Sequence, residues 1–105
     1  MKKNESLEMR LAEAGIVSFG DARDWLGFSD EEKALMDMQI AAERAIEREM
    51  RVKHVSQAEL ARRMGTKQPA VSRMIRQSGS ASFETLFRAL LALGATPRKI
   101  AAILA

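Results

Sequence analysis

Residues 55–76 read VSQAELARRMGTKQPAVSRMIR and decide the fold. The pattern is a short helix, a turn centred on Gly65 and a second short helix, with no gap between them. If Gln57 is the first position, Ala61 is the fifth, where two crossing helices leave room for little more than a methyl group. Gly65 is the ninth, where the turn needs a positive φ that only glycine adopts without strain. The stretch therefore predicts a helix-turn-helix.

Apolar and polar side chains alternate within this stretch at helical spacing. The apolar positions expected to hold the two helices together are Leu60, Met64, Val71 and Met74. The positions left to solvent are polar or basic, namely Arg62, Arg63, Lys67, Gln68, Ser72, Arg73 and Arg76. Amide and guanidinium groups are suited to phosphates and base edges. The competing interpretation is an ordinary helical hairpin with a basic surface.

The formal net charge of +3 conceals an asymmetry along the chain. Residues 1–50 hold 7 Lys/Arg and 12 Asp/Glu, a net charge of −5. Residues 51–76 hold 7 against 1, or +6, and residues 77–105 hold 3 against 1, or +2. The positive charge thus coincides with the predicted helix-turn-helix, as a nucleic-acid-binding surface requires.

Composition narrows the fold class and the chemistry. A chain of 105 residues is long enough for one modest core, and two prolines with few β-branched runs favour an all-α domain. The absence of cysteine excludes disulfides and thiolate metal sites and fits a cytoplasmic protein. No apolar run approaches the ~20 residues of a membrane span. We find no Gly-rich phosphate loop, activated nucleophile or metal-ligand spacing, so we expect neither an enzyme nor a cofactor.

Residues 1–28 are predicted to form an acidic, helical N-terminal extension. Residues 5–14 have an amphipathic helical pattern, and Asp21 is placed to cap a second short helix. The extension either packs against the rest of the protein, as a satellite or in a dimer, or binds a partner protein. Its candidate contact residues are the aromatic side chains Phe19, Trp25 and Phe28.

Five further helices are expected between residues 29 and 105. Ser29 followed by three acids predicts the start of a long helix over 30–52, Ser82 caps a helix over 83–93, and Pro97 opens the last one. Two apolar surfaces are candidates for a dimer seam. One is the off-stripe pair Met36 and Ile40, and the other is the C-terminal stripe Ile100, Ile103 and Leu104.

Residues 30–104 resemble the XRE (Cro/C1-type) helix-turn-helix family, whose members have a five-helix, lambda-repressor-like bundle. The residues that carry the resemblance are SQAELARRMGTKQPAVSRM. The sequence is closer still to HigA-like antitoxins of type II toxin–antitoxin modules, on the segments FSDEEKALMDMQIAAERAI and LFRALLALGATPRKIAAIL. The implied organisation is an XRE-type DNA-binding domain over residues 29–105, preceded by the short N-terminal extension.

The resemblance also implies how DNA would be bound. The helix over 67–76 would be the recognition helix and enter the major groove by its N-terminal end. Gln68 occupies the family position whose amide pairs with a base edge, and Gln suits adenine. Arg73 would reach guanine or a phosphate. Lys67 and Ser72 are adjacent candidates, and Pro69 offers only apolar contact, such as a thymine methyl group.

Further positions are candidates for phosphate contacts. Gln57 opens the first helix of the pair, where family members hold a phosphate through the side chain and the helix N-terminus. Arg62, Arg76 and the backbone of Ser78–Ser80 are the others. Because one small module buries too little surface for tight binding, we expect a homodimer on a palindromic operator.

Three functions compete at this point. The first is an antitoxin that represses its own operon and neutralises a small basic RelE/HigB-like toxin. The second is a stand-alone phage- or plasmid-type repressor without a toxin. The third is an interaction module that kept the fold and lost DNA binding. The net charge of +6 on residues 51–76 argues against this third function.

Overall fold

The computed structural model describes residues 19–105, and side chains from Ala22 onward. Every regular element in this range is an α-helix. The helices are α1 (Phe19–Trp25), α2 (Asp30–Lys53), α3 (Gln57–Met64), α4 (Gln68–Arg76), α5 (Phe83–Ala92) and α6 (Pro97–Leu104). The predicted all-α fold with five helices after residue 29 is confirmed, whereas the helix predicted over 5–14 lies outside the described residues. None of the described helices combines the length and apolar character needed to cross a membrane.

Contacts divide the chain after Leu35 into two units, and residues 19–35 are the described part of the first. Within it, Ser29 and Glu32 form a capping box: the Glu32 N–H donates to Ser29 Oγ and the Ser29 N–H to Glu32 Oε1, both at 3.0 Å. Lys33 pairs with Asp24 and, at 3.1 Å, with Asp30. These bonds tie α1 to the first turn of α2.

The expected cap at the start of α1 is wrong. Asp21 is the third residue of the helix, because α1 begins at Phe19. Acidic residues are common both at the cap and in the first turn of a helix, so this residue type alone does not fix where the helix begins.

The second unit, residues 36–105, is organised around the helix-turn-helix. Ser56 caps α3 by accepting the Glu59 N–H at 3.0 Å. Gly65 ends α3 with φ +69°, the left-handed conformation expected from the sequence, and its N–H bonds to the Arg62 carbonyl at 3.2 Å. Ala61 is 3% exposed where α3 packs on α4, so there is no room for a larger side chain at this position.

The remaining helices close the core over this pair. The Ser82 and Thr96 hydroxyl groups cap α5 and α6 by accepting the N–H groups of Thr85 and Lys99 at 3.2 and 3.1 Å. Ile100 is buried and Ile103 and Leu104 pack against the core, so the C-terminal stripe is largely used within one copy. The most completely buried large side chains are Ile46, Leu60, Leu86, Leu90, Leu93 and Val71.

A buried carboxylate links α2 to α6, and a lysine beside it links α2 to the end of α5. Glu49 on α2 is 7% exposed and accepts from Lys99 Nζ of α6 at 2.8 Å. Lys53 Nζ lies 3.7 Å from the same oxygen and also donates to the Leu93 carbonyl just after α5. The Lys99 hydrogen bond, assisted by the charges of Lys99, Lys53 and Arg48, lowers the pKa of Glu49 against the opposing effect of burial.

We expect the stability of the protein to fall with acid through Glu49. Since its pKa is lower folded than unfolded, its contribution is fully present above the ordinary value of 4.5 and is lost as pH falls through the folded pKa. Urea unfolding between pH 7 and 3 should show a shallower loss for Glu49→Gln than for the wild type. Glu84→Gln, an exposed carboxylate at the start of α5, is the control. Equal pH profiles for wild type and Glu49→Gln would contradict this role.

Candidate nucleic-acid interface

The second helix of the pair, α4, is fixed on one side and open on the other. Val71 and Met74 are 1% and 4% exposed and anchor the helix to the core. The predicted recognition residues lie on its remaining surface, and all are exposed except Ser72, which is half-buried. They are Lys67, Gln68, Pro69, Ser72, Arg73 and Arg76.

The N-terminal end of α4 has neither a capping side chain nor an acidic residue in its first turn. Lys67 is the N-cap and makes no side-chain capping bond, and the first turn contains no acid. Pro69 in this turn has no N–H to satisfy and keeps φ suitable for a helix. The helix dipole and a lysine therefore meet at one exposed end, which favours an anion such as a phosphate group.

The basic side chains of α3 are engaged within the protein. Arg62 donates to both oxygens of Glu59, at 2.8 and 2.5 Å, and Arg63 Nε donates to Glu59 Oε2 at 2.8 Å. These bonds lower the pKa of Glu59 to about 2, and the bonds from Arg62 have the larger effect. A phosphate would have to compete with Glu59 for Arg62, so this residue is a weaker candidate than its charge indicates.

The loop after α4 is likewise hydrogen-bonded to other groups of the protein. Ser78 Oγ donates to Glu43 Oε1 at 2.6 Å and the Gly79 N–H donates to Glu43 Oε2 at 2.9 Å. The Ser80 N–H donates to the Gln77 carbonyl at 3.1 Å. Of the backbone donors expected to meet phosphate, the Gly79 and Ser80 N–H groups are thus already used, the first of them by a carboxylate.

The unpaired positive charges of the interface are on α4 and at its start. Lys67, Arg73 and Arg76 have no ion pair among residues 19–105. Gln57 is the first residue of α3 and is half-buried, next to the Ser56 cap. The structure therefore presents a surface of amide, hydroxyl and free cationic groups along α4.

A family model described as Helix-turn-helix matches residues 48–100, just over half of the chain. The chain belongs to the helix-turn-helix family. The match is of the XRE type, a family of DNA-binding transcription regulators and not of enzymes. No curated protein and no solved structure matches the chain. Nowhere in residues 19–105 of this helix-turn-helix protein do three or more His, Asp or Glu side chains converge to hold a metal ion.

Two contacts at the interface of this helix-turn-helix protein were not predicted from its sequence. Glu59 precedes Arg62 and Arg63 by three and four residues, the spacing at which opposite charges meet on a helix, so that pairing was visible in principle. The hold of Glu43 on Ser78 joins residues far apart in the chain, and no local pattern signals it.

Proposed function

We propose that this helix-turn-helix protein is a sequence-specific transcriptional repressor that inserts the N-terminal end of α4 into the major groove. The observation that carries the proposal is that Gln68 and Arg73 are exposed while Val71 and Met74 fix the same helix to the core. A Gln amide can pair bidentately with adenine, and an Arg guanidinium with guanine. Base recognition is thus assigned to Gln68 and Arg73.

Phosphate contacts would set the position of α4 on the duplex. We assign them to Lys67, Arg76 and the exposed N-terminus of α4, and to Gln57 at the start of α3. Ser72 and Pro69 would line the groove beside the bases. Such contacts fix register and supply affinity without reading sequence.

The repressor would act in the cytoplasm as a homodimer on a palindromic site. Selection from a pool of random duplexes, together with a gel shift on the promoter of its own gene, tests this. We expect enrichment of a palindrome whose half-sites are about one helical turn apart, centre to centre. Binding that is equal on all duplexes would contradict sequence-specific repression.

We further propose that the repressor is the antitoxin of a type II module. The supporting observation is on the first unit, where Trp25 and Leu26 are 65% and 64% exposed and Phe28 is half-buried. An exposed tryptophan beside acidic residues suits a partner with an apolar pocket and a basic rim. The side chain of Phe19, the third candidate, is not among the described side chains, which begin at Ala22.

Co-expression with a small basic protein encoded next to the gene separates the antitoxin from the stand-alone repressor. We expect a stable complex that rescues growth from the toxin, and loss of the complex in Trp25→Ala. Val52→Ala, which trims an equally exposed apolar side chain on α2, is the control. If no neighbour binds while the operator is still recognised, the stand-alone repressor is the correct function.

A further inference from the structure

The loop between α4 and α5 binds a carboxylate of the protein in the way that an anion site binds its ligand. Glu43 reaches the loop from α2, and both of its carboxylate oxygens are used. Oε1 accepts from Ser78 Oγ at 2.6 Å, and Oε2 accepts from the Gly79 N–H at 2.9 Å. Hydroxyl groups and backbone N–H groups are also the donors with which proteins commonly bind the phosphates of a nucleic acid. The loop thus offers two donors to an anion, and a side chain of the same chain occupies them.

Two arginines lie beside this carboxylate. Arg44 of α2 and Arg76 at the end of α4 line the same cavity, of about 310 Å³, as Glu43 and Ser78. In the part of the chain that the structure describes, neither arginine forms an ion pair. Glu47 also lines the cavity, so the charges of the lining cancel with Glu43 present and leave one positive charge in excess without it. Loss of the Glu43 carboxylate would therefore leave surroundings that favour an external anion.

The loop is also tied down by bonds in which Glu43 takes no part. Ser80 Oγ donates to the Arg73 carbonyl of α4 at 3.2 Å. Gln39 Nε2 donates to the Ala81 carbonyl at 3.4 Å and so ties the end of the loop to α2. Removal of the Glu43 side chain should therefore free its two donors and leave the loop in place.

We propose that Ser78 and Gly79 form a phosphate-binding site and that Glu43 competes with phosphate for it from within the protein. The ligand is a phosphate group, either the free ion or a phosphodiester of the DNA backbone. For the DNA backbone the inference rests on the proposed function, because the site directly follows the helix assigned to the major groove. For the free ion it is independent of that function. A carboxylate in the same molecule acts at a high effective concentration, so Glu43 lowers the affinity of the site for phosphate and limits sequence-independent DNA binding.

Titration of the labelled full chain with inorganic phosphate tests the site without DNA. The backbone amide of Gly79 is the reporter in nuclear magnetic resonance, and sodium chloride at matched ionic strength is the blank. We expect a saturable shift of this signal in Glu43→Ala, with an affinity roughly tenfold or more above that of the wild type. Glu47→Ala is the matched control, because Glu47 lines the same cavity and, within residues 19–105, makes no bond to the loop. It should respond like the wild type.

Several results would overturn the site. One is a Glu43→Ala protein that keeps the wild-type melting temperature and shows no saturable shift at Gly79. Another is a wild type or a Glu47→Ala protein that binds phosphate as tightly as Glu43→Ala. If Glu43→Ala does not fold, Glu43→Gln replaces it, because the amide retains one acceptor for the loop and carries no charge. Glu43→Gln should bind phosphate more tightly than the wild type, and equal affinities overturn the competition.

The salt dependence of binding to random duplex shows whether the phosphate is that of the DNA backbone. One added phosphate contact steepens the slope of log affinity against log salt concentration by about 0.9. We expect this change in Glu43→Ala and a much smaller one in Glu47→Ala. An unchanged slope in a Glu43→Ala protein that binds inorganic phosphate overturns the DNA backbone as the ligand. If no form of the protein binds DNA, the proposed function fails, and the phosphate titration still decides whether the site exists.

Discussion

Leu60→Ala should lower the free energy of unfolding by about 2–5 kcal/mol, which is a large part of the roughly 5–15 kcal/mol typical of a domain. Leu60 is 0% exposed at the centre of α3, where the helix packs on α4 and α5. Truncation removes buried methyl groups and leaves a cavity that well-packed neighbours fill only in part. Urea unfolding followed by circular dichroism at pH 7 measures the change.

Leu91→Ala provides the matched control for that measurement. The same side chain is removed from the outer surface of α5, where Leu91 is 49% exposed, and the expected change is about 0.5 kcal/mol or less. If the two substitutions cost the same, the core described around the helix-turn-helix would be wrong.

Gln68→Ala and Arg73→Ala should each weaken operator binding by about 1–3 kcal/mol, or some fivefold to more than a hundredfold. Gln68→Ala should leave binding to random duplex unchanged, because a base contact contributes nothing there. Arg73→Ala should also reduce random binding if its guanidinium meets a phosphate. Fluorescence anisotropy on operator and scrambled duplexes at two salt concentrations separates these contributions.

Two arginines serve as controls for the loss at Arg73. Arg98→Ala removes an equal charge from the start of α6 and should have a much smaller effect on operator binding. Arg62→Ala should reduce the slope of log affinity against log salt concentration by less than the loss of one phosphate contact would. The reason is that Glu59 already binds the guanidinium, at 2.8 and 2.5 Å. A loss at Arg62 as large as that at Arg73 would contradict the assignment of base contacts to α4.

Much of this fold could be predicted because its determinants are local. Gly65 needs a left-handed conformation, Ala61 needs a close helix crossing, and the Ser29, Ser82 and Thr96 hydroxyl groups each cap a helix within four residues. The spacing of apolar residues within α3 and α4 likewise identifies which of them are buried. The boundary error at Asp21 has the same origin, because acids favour both the cap and the first turn.

Interactions between distant segments could not be predicted from such patterns. Glu49 was one of several acids on a long helix, and only the fold places Lys99 beside it and buries it. Glu43 accepts from the Ser78 hydroxyl and from the Gly79 N–H, and the latter was expected to meet phosphate. In the candidate site, residue type and helical spacing thus identified the exposed surface, while the fold decided which of its polar groups remain free.

The most direct test of DNA recognition by α4 is nuclear magnetic resonance of the labelled full chain titrated with its selected operator. We predict that the largest shift changes fall on the backbone amides of residues 67–73 other than Pro69 and on the side-chain amide of Gln68, with small changes along α5 and α6. Changes concentrated on α5 or α6, with Lys67–Arg73 unperturbed, would contradict the account.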